Sequence, residues 1–334
     1  MTHRFAFHSV PLTQPGQKFC AAVADGLLQS RKQLPCRFFY DQTGSEIFEE
    51  ICALPEYYPT RTERAILERY ADEILTTAHV AQSDSPLSLI EFGSGSSVKT
   101  RLLIEAALRQ QPKLTYVPID ISGDFLRESC LTLLEDYPAL CVTGLAAEYS
   151  DAMQALPEED LGEGTRLFLF LGSNIGNFTH DEATRFLGRL RAVMRPQDRL
   201  LLGVDLVKDR SVLEAAYNDS AGVTAAFNKN LLWRINQELD ADFELDCFAH
   251  HAPFVEEHSR IEMHLISERA QTVTIDYLEL SISFEEGEVI HTENSHKYTP
   301  DSFERLCQPA GLHIHQVWTD EREWFSMMLL EPCL

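Results

Sequence analysis

The 334-residue sequence is short of basic residues, with 28 Lys+Arg against 52 Asp+Glu and a formal net charge of −24. Duplex DNA and structured RNA are gripped by Lys and Arg that neutralise phosphates, so a chain this acidic repels them. No basic block offsets the charge, and an anionic membrane surface is disfavoured on the same ground. Also missing is any apolar run near the ~20 residues of a membrane span. The opening Met1-Thr2-His3-Arg4-Phe5 lacks the apolar stretch of a signal peptide. The eight cysteines include no C-x-x-C pair, and the twelve histidines have no partner spacing of the kind metal sites use. These absences predict a cytoplasmic protein with reduced thiols and no metal, acting on a small molecule without nucleic-acid or membrane partners. A monomer is the default expectation, since the sequence carries no signal of oligomeric state.

What is present is ordinary for a folded chain: 44% hydrophobic and 24% charged residues, with no repeat or low-complexity tract. The length suits about two domains. Residues 1–60 read as irregular, 62–77 as a helix and 82–86 as a polar linker. From 87 the pattern alternates. Strands are predicted at 87–92, 114–119, 166–171 and 199–204, with helices at 99–108, 125–136 and 181–194 between them. Such alternation implies a doubly wound α/β sheet. After Asp205 the rhythm changes to a long helix over 211–238 and antiparallel strands at 261–267, 272–280 and 282–284. The α/β style resumes near 299. One domain is therefore expected over 62–206 plus 298–334, and a second lobe over 1–61 plus 207–297.

The segment Glu91-Phe92-Gly93-Ser94-Gly95-Ser96-Ser97-Val98-Lys99-Thr100 puts two glycines between a buried strand and a helix. Three ligands compete for such a turn. A dinucleotide fingerprint needs a third glycine at 98, where Val98 stands. A triphosphate-binding loop, G-x-x-x-x-G-K-[ST], fails at the same position, because a β-branched residue resists the loop conformation that wraps phosphates. S-adenosylmethionine (SAM) carries no phosphate and a cationic sulfonium, so acidic surroundings suit it. Asp120, ending the next strand, would accept from both ribose hydroxyls. Glu148 would take the adenine amino group, with Tyr149 beside it. Glu91, Gly93, Gly95 and Asp120 together favour this third ligand.

Residues beyond the turn carry a resemblance. Phe39-Tyr40-Asp41-Gln42-Thr43-Gly44-Ser45-Glu46-Ile47-Phe48 and Leu54-Pro55-Glu56-Tyr57-Tyr58-Pro59-Thr60-Arg61-Thr62-Glu63 closely resemble the N-terminal signature of the SAM-dependent histidine-specific methyltransferases. The likeness continues through the glycine turn, Tyr116–Ser122, Phe170–Phe178, Ala216–Asp219, Thr224–Asn228 and Thr292–Tyr298, in order along nearly the whole chain. It implies a class I, Rossmann-like SAM-dependent methyltransferase sheet with a second, discontinuous substrate-binding α+β lobe. It further implies three methyl transfers to the α-amine of L-histidine, giving hercynine, the first step of ergothioneine biosynthesis. Gly93, Lys99, Asp120, Glu148 and Tyr149 would then line the cofactor site, and Tyr40 would stand near the sulfonium and the amine. Asn177 and Tyr217 would anchor the substrate carboxylate. Glu293 and Ser295, with Asn294 between them, would hold the imidazole, and Tyr57 would reach the ring.

Each of these residues also has a plain structural reading: Tyr57 as aromatic packing, Asn177 as a turn residue, Glu293 as a solvated strand end. Their ordered coincidence outweighs those readings. Two positions depart from the family pattern: Asn294, where an apolar residue is usual, and Asn174, where Thr is usual. Both bear on how strictly histidine is selected. The rival activities are methylation of another amino acid or aromatic amine, such as a tryptophan derivative, and, in different classes, a P-loop-like nucleotide-binding protein or a non-catalytic histidine or SAM sensor.

Overall fold

The computed structural model describes residues 4–10, 15–79 and 86–333, with side chains from 18 in the first helix. The chain divides into two compact units. The first comprises Met1–Leu12, Pro59–Val207 and Tyr298–Leu334; the second comprises Thr13–Tyr58 and Lys208–Lys297.

An eight-stranded sheet forms the first unit. Its order is Phe5–Ser9, Leu140–Ala146, Leu114–Asp120, Leu87–Phe92, Thr165–Phe170, Arg199–Asp205, Phe325–Pro332 and Leu312–Thr319. The first six run parallel, while Phe325–Pro332 pairs antiparallel with both of its neighbours. Leu87–Phe92 and Thr165–Phe170 are buried at every position, as strands covered on both faces must be. Helices fill the crossovers. Thr179 and Glu182 start one of them, His180–Val193, with a reciprocal capping box. Strand order reverses between Leu87–Phe92 and Thr165–Phe170, and in such sheets ligands bind beyond the strand ends at that switch point. This is the class I methyltransferase arrangement.

The second unit has a sheet ordered Lys32–Gln33, Val289–His296, Arg260–Ser267, Phe248–His251, and a separate hairpin of Gln271–Ile275 with Leu280–Phe284. Helix Val223–Leu239 is tied to this sheet by Asn228. Its amide donates to the His264 carbonyl at 3.0 Å and accepts from Thr292 Oγ1 at 2.7 Å. The tie explains an asparagine fully buried in a helix.

Several expectations need correction. The described residues of 1–60 are not irregular, and Phe5–Ser9 belongs to the first unit. Phe5–Ser9 adds an edge strand along Leu140–Ala146, with Phe5 and Phe7 packed against the core. The helix expected over 211–238 is two, Arg210–Tyr217 and Val223–Leu239. Asn218 leaves the helix to pair its amide with both backbone groups of Ala252, and Asp219 accepts from the amides of Val223 and Thr224 to start the next. The strand expected over 272–280 ends at Ile275, where a 3-10 turn and left-handed Glu279 reverse the chain. The linker expected at 82–86 lies, except for Pro86, outside the described residues. Among the described residues no helix is long and apolar enough to cross a membrane, and all eight cysteines are free thiols.

Candidate active site

In the first unit the glycine turn closes directly after Leu87–Phe92. Gly93 and Gly95 have φ of +71° and +50°, the left-handed region where a side chain is strained. At Gly93 the restriction is doubled, since a Cβ there would sit 2.7 Å from Tyr149 Oη. Tyr149 is in turn fixed edge-on against Phe92, Phe170 and Phe186.

Asp120 ends the neighbouring strand with its carboxylate held by backbone. Gly95 N–H donates to Oδ2 at 2.9 Å and Ser122 N–H to Oδ1 at 3.0 Å. Burial raises its pKa, and these amides pull it back down. The turn therefore presents an oriented carboxylate at the switch point. Glu148 occupies the N-cap of helix Tyr149–Gln154 without using its side chain as the cap. Asn177 ends the 3-10 turn Asn174–Asn177, half-buried. The amide nitrogen of Asn174 comes 3.2 Å from a Cβ built on Gly93, so this departure from the family pattern falls beside the glycine turn.

Lys99 pairs with Glu63, whose carboxylate is fully buried and also accepts from Gly172 N–H at 2.8 Å. Glu63 closes the N-terminal signature but carried no assigned role, because its partner Lys99 lies 36 positions away. Glu91, by contrast, is not free for a ligand. Burial pushes its pKa up to about 7, and its carboxylate accepts from Thr100 Oγ1 at 2.8 Å and from the Tyr116 hydroxyl.

The second unit gathers Tyr40, Tyr57, Tyr217, Glu293 and Ser295. The signature around Tyr40 has local reasons. Asp41 caps helix Gln42–Ala53 by accepting from Gly44 N–H at 2.7 Å. Gly44 itself has no room for a Cβ, which would lie 1.7 Å from the Phe39 carbonyl oxygen. Tyr40, half-buried, meets Phe48 and Phe227 edge-on; Phe48 meets Tyr57, and Tyr57 meets Tyr217 at 6.1 Å between ring centres. Burial drives the Tyr57 pKa far above the usual phenol range, with Tyr217, Cys52, Tyr40 and Glu293 adding to the shift.

On strand Val289–His296, Glu293 and Ser295 stand opposite Met263 and Ile261, two buried residues, so they face inward. Asn294 stands opposite Glu262 on the other face, where its Oδ1 lies 3.0 Å from His291 Nε2. Its inclusion in the substrate set is therefore corrected: strand alternation turns it away. Ser295 Oγ lies 2.7 Å from Tyr217 Oη. Lys297, only 2% exposed, donates to Ser295 Oγ at 2.8 Å and to Tyr217 Oη at 3.2 Å, and lies over the Tyr217 ring. It was not singled out from the sequence, although 293, 295 and 297 follow the two-residue period of one strand face. Glu293 is 8% exposed and accepts no hydrogen bond from any described residue. Burial pushes its pKa up to about 7 against the opposing pull of Lys297.

Residues 19–332 match the family described as histidine-specific methyltransferase, SAM-dependent. Over 307 residues the chain is 40% identical to a histidine N-alpha-methyltransferase of Mycobacterium tuberculosis, covering 92% of each chain. The figures are the same for the enzyme of that name from Mycolicibacterium smegmatis. An ergothioneine biosynthesis protein 1 of Neurospora crassa is 31% identical over 88% of this chain and 32% of its own length. A glycine turn and oriented carboxylate at the switch point, joined to this similarity along almost the full length, make the chain a member of the SAM-dependent histidine-specific methyltransferases, an N-methyltransferase with SAM as its cofactor.

Proposed function

We propose that this enzyme methylates the α-amino group of L-histidine, in three successive transfers that end at the trimethylated betaine. The observation that carries the reading is Glu293, a buried carboxylate that accepts no hydrogen bond from any described residue and stands beside Ser295, Tyr217 and Tyr57. Buried acceptors are almost always partnered. An imidazole N–H supplies the missing donor, and an amino acid without that donor leaves the carboxylate unpaired. The relatives' names point the same way, since two are called histidine N-alpha-methyltransferases.

SAM supplies a methyl group on a cationic sulfur. In the first unit, Asp120 is the acceptor for the ribose hydroxyls, Glu148 and Tyr149 serve the adenine end, Gly93 lets the ligand approach the backbone, and Lys99 provides a cation. For the substrate, Asn177 and Tyr217 donate to the α-carboxylate, because an amide N–H and a phenol O–H are neutral donors that leave the amine unhindered. Glu293 and Ser295 take the two imidazole nitrogens, Tyr57 supports the ring and Tyr40 is a hydrogen-bond partner for the amine. An ammonium has no lone pair, so a proton must leave before each of the three transfers. The third transfer forms a fixed positive charge that no longer exchanges protons. Eight free thiols suit a reducing, cytoplasmic setting.

Incubating the purified protein with L-histidine and SAM, then reading product mass, tests the proposal. One, two and three methyl increments on histidine, with the third accumulating, are expected. Unmodified histidine beside a methylated tryptophan or other amine from the same assay would refute it. Glu293 also predicts a pH dependence. Its carboxylate form is present above about pH 7, so histidine affinity falls as pH drops through that value.

A further inference from the structure

Lys297 has no part in the reading above, yet it is a lysine 2% exposed in the midst of the residues assigned to histidine. Burying an ammonium is expensive unless its protons are taken up. Two of its acceptors are Ser295 Oγ at 2.8 Å and Tyr217 Oη at 3.2 Å. Those oxygens lie 2.7 Å apart, within hydrogen-bond distance of each other. The geometry has a definite consequence for the hydroxyl hydrogens. Each oxygen meets the ammonium with a lone pair, so neither hydroxyl hydrogen points toward Lys297. In the free protein one hydroxyl donates to the other; with histidine bound both hydrogens turn outward, that of Tyr217 to the carboxylate and that of Ser295 to the imidazole nitrogen. A hydroxyl that accepts from a cation is polarised into a stronger donor, and its best partner is an anion.

Resting on the histidine reading, we propose that Lys297 is a positioning residue, the buried cation behind Tyr217 that acts through its hydroxyl to select substrates bearing a free α-carboxylate. Among the residues assigned to the substrate, Glu293 is the carboxylate, and Lys297 favours its ionised form. Burial pushes the Tyr57 pKa well above the usual phenol range, so Tyr57 adds no charge beside Glu293. An incoming carboxylate at Tyr217 and an imidazole N–H at Glu293 therefore meet opposite ends of one local dipole. Removing Lys297 weakens the first contact and, separately, makes Glu293 harder to ionise.

These two effects are read independently by measuring dissociation constants of the full chain for L-histidine and for L-histidinol, in which the carboxylate is replaced by an alcohol. At about pH 9, where the imidazole is neutral and Glu293 ionised, Lys297→Met is expected to weaken L-histidine about ten- to a hundred-fold and L-histidinol less than about threefold. The low-pH limb of binding moves upward for both ligands in the variant, because the cation that held the Glu293 pKa down is gone. Equal loss for the two ligands, or no loss, overturns carboxylate selection, and an unmoved limb overturns the coupling to Glu293. Circular dichroism and SAM affinity report folding. Should Lys297→Met not fold, Lys297→Arg keeps the charge and misplaces the two hydrogen bonds, and a loss confined to L-histidine again supports the role while an indifferent loss refutes it. A parent protein that binds no L-histidine refutes the histidine reading itself, not the role of Lys297 within it.

Discussion

Glu91 in the first unit and Glu293 in the second are both buried carboxylates with pKa values raised to about 7. Their surroundings differ. Glu91 is enclosed by hydroxyls from its own unit: Thr100 donates to it, Tyr116 donates to it, and Ser97 lies 3.0 Å from Tyr116 Oη. Glu293 has a lysine nearby and accepts nothing from the described residues. One carboxylate braces a glycine turn from behind; the other is left with acceptor capacity to spare. A raised pKa alone thus does not mark a binding residue, and hydrogen-bond accounting separates the two.

Several substitutions would break or sharpen this contrast. The largest effect is expected from Glu293→Ala, which removes the acceptor held for imidazole. Histidine affinity should fall about a hundredfold or more while SAM affinity stays within about twofold, both by calorimetry. Asp120→Ala should do the converse, weakening SAM about ten- to a hundred-fold with histidine nearly unchanged. Were both variants to weaken the same ligand, the division of roles between the units would fail.

Glu91→Gln comes next. Histidine and SAM affinities should hold within about twofold, and unfolding free energy should drop by about 1–3 kcal/mol, since the amide cannot satisfy both hydroxyls as the carboxylate does. A pH signature accompanies it. With a folded pKa of about 7 against 4.5 unfolded, Glu91 holds its proton in the folded state across that window, so stability falls as pH rises from about 4.5 to 7 and levels above it. Denaturant titrations at several pH values should show Glu91→Gln removing part of that slope. The smallest effect belongs to Asn294→Leu, which restores the apolar family residue on the outward face of the strand. Its histidine affinity should match the parent within about twofold; a larger change would return Asn294 to the substrate set.

The sequence was most legible where one physical signal dominated. Leu87–Phe92 and Thr165–Phe170 are continuous apolar runs because both faces of a central parallel strand are covered, and the glycine turn follows from the need for positive φ. Phe5–Ser9 was illegible because it is short, and its hydrogen bonds go to Leu140–Ala146, far along the chain. The break after Tyr217 was hidden by helical spacing on either side. Its cause, Asn218 bonding Ala252, is again a distant contact.

Acidity, the alternation of strands and helices, the glycine turn and the ordered family signatures were all determined by the sequence, because composition and local periodicity survive without knowledge of partners. Tertiary structure alone decided which carboxylate is spent and which is spare. It also paired Lys99 with Glu63, set Lys297 against Tyr217 and Ser295, and turned Asn294 away from Glu293. The reason is physical: burial and hydrogen-bond saturation depend on residues brought together from distant parts of the chain, and no local pattern encodes them.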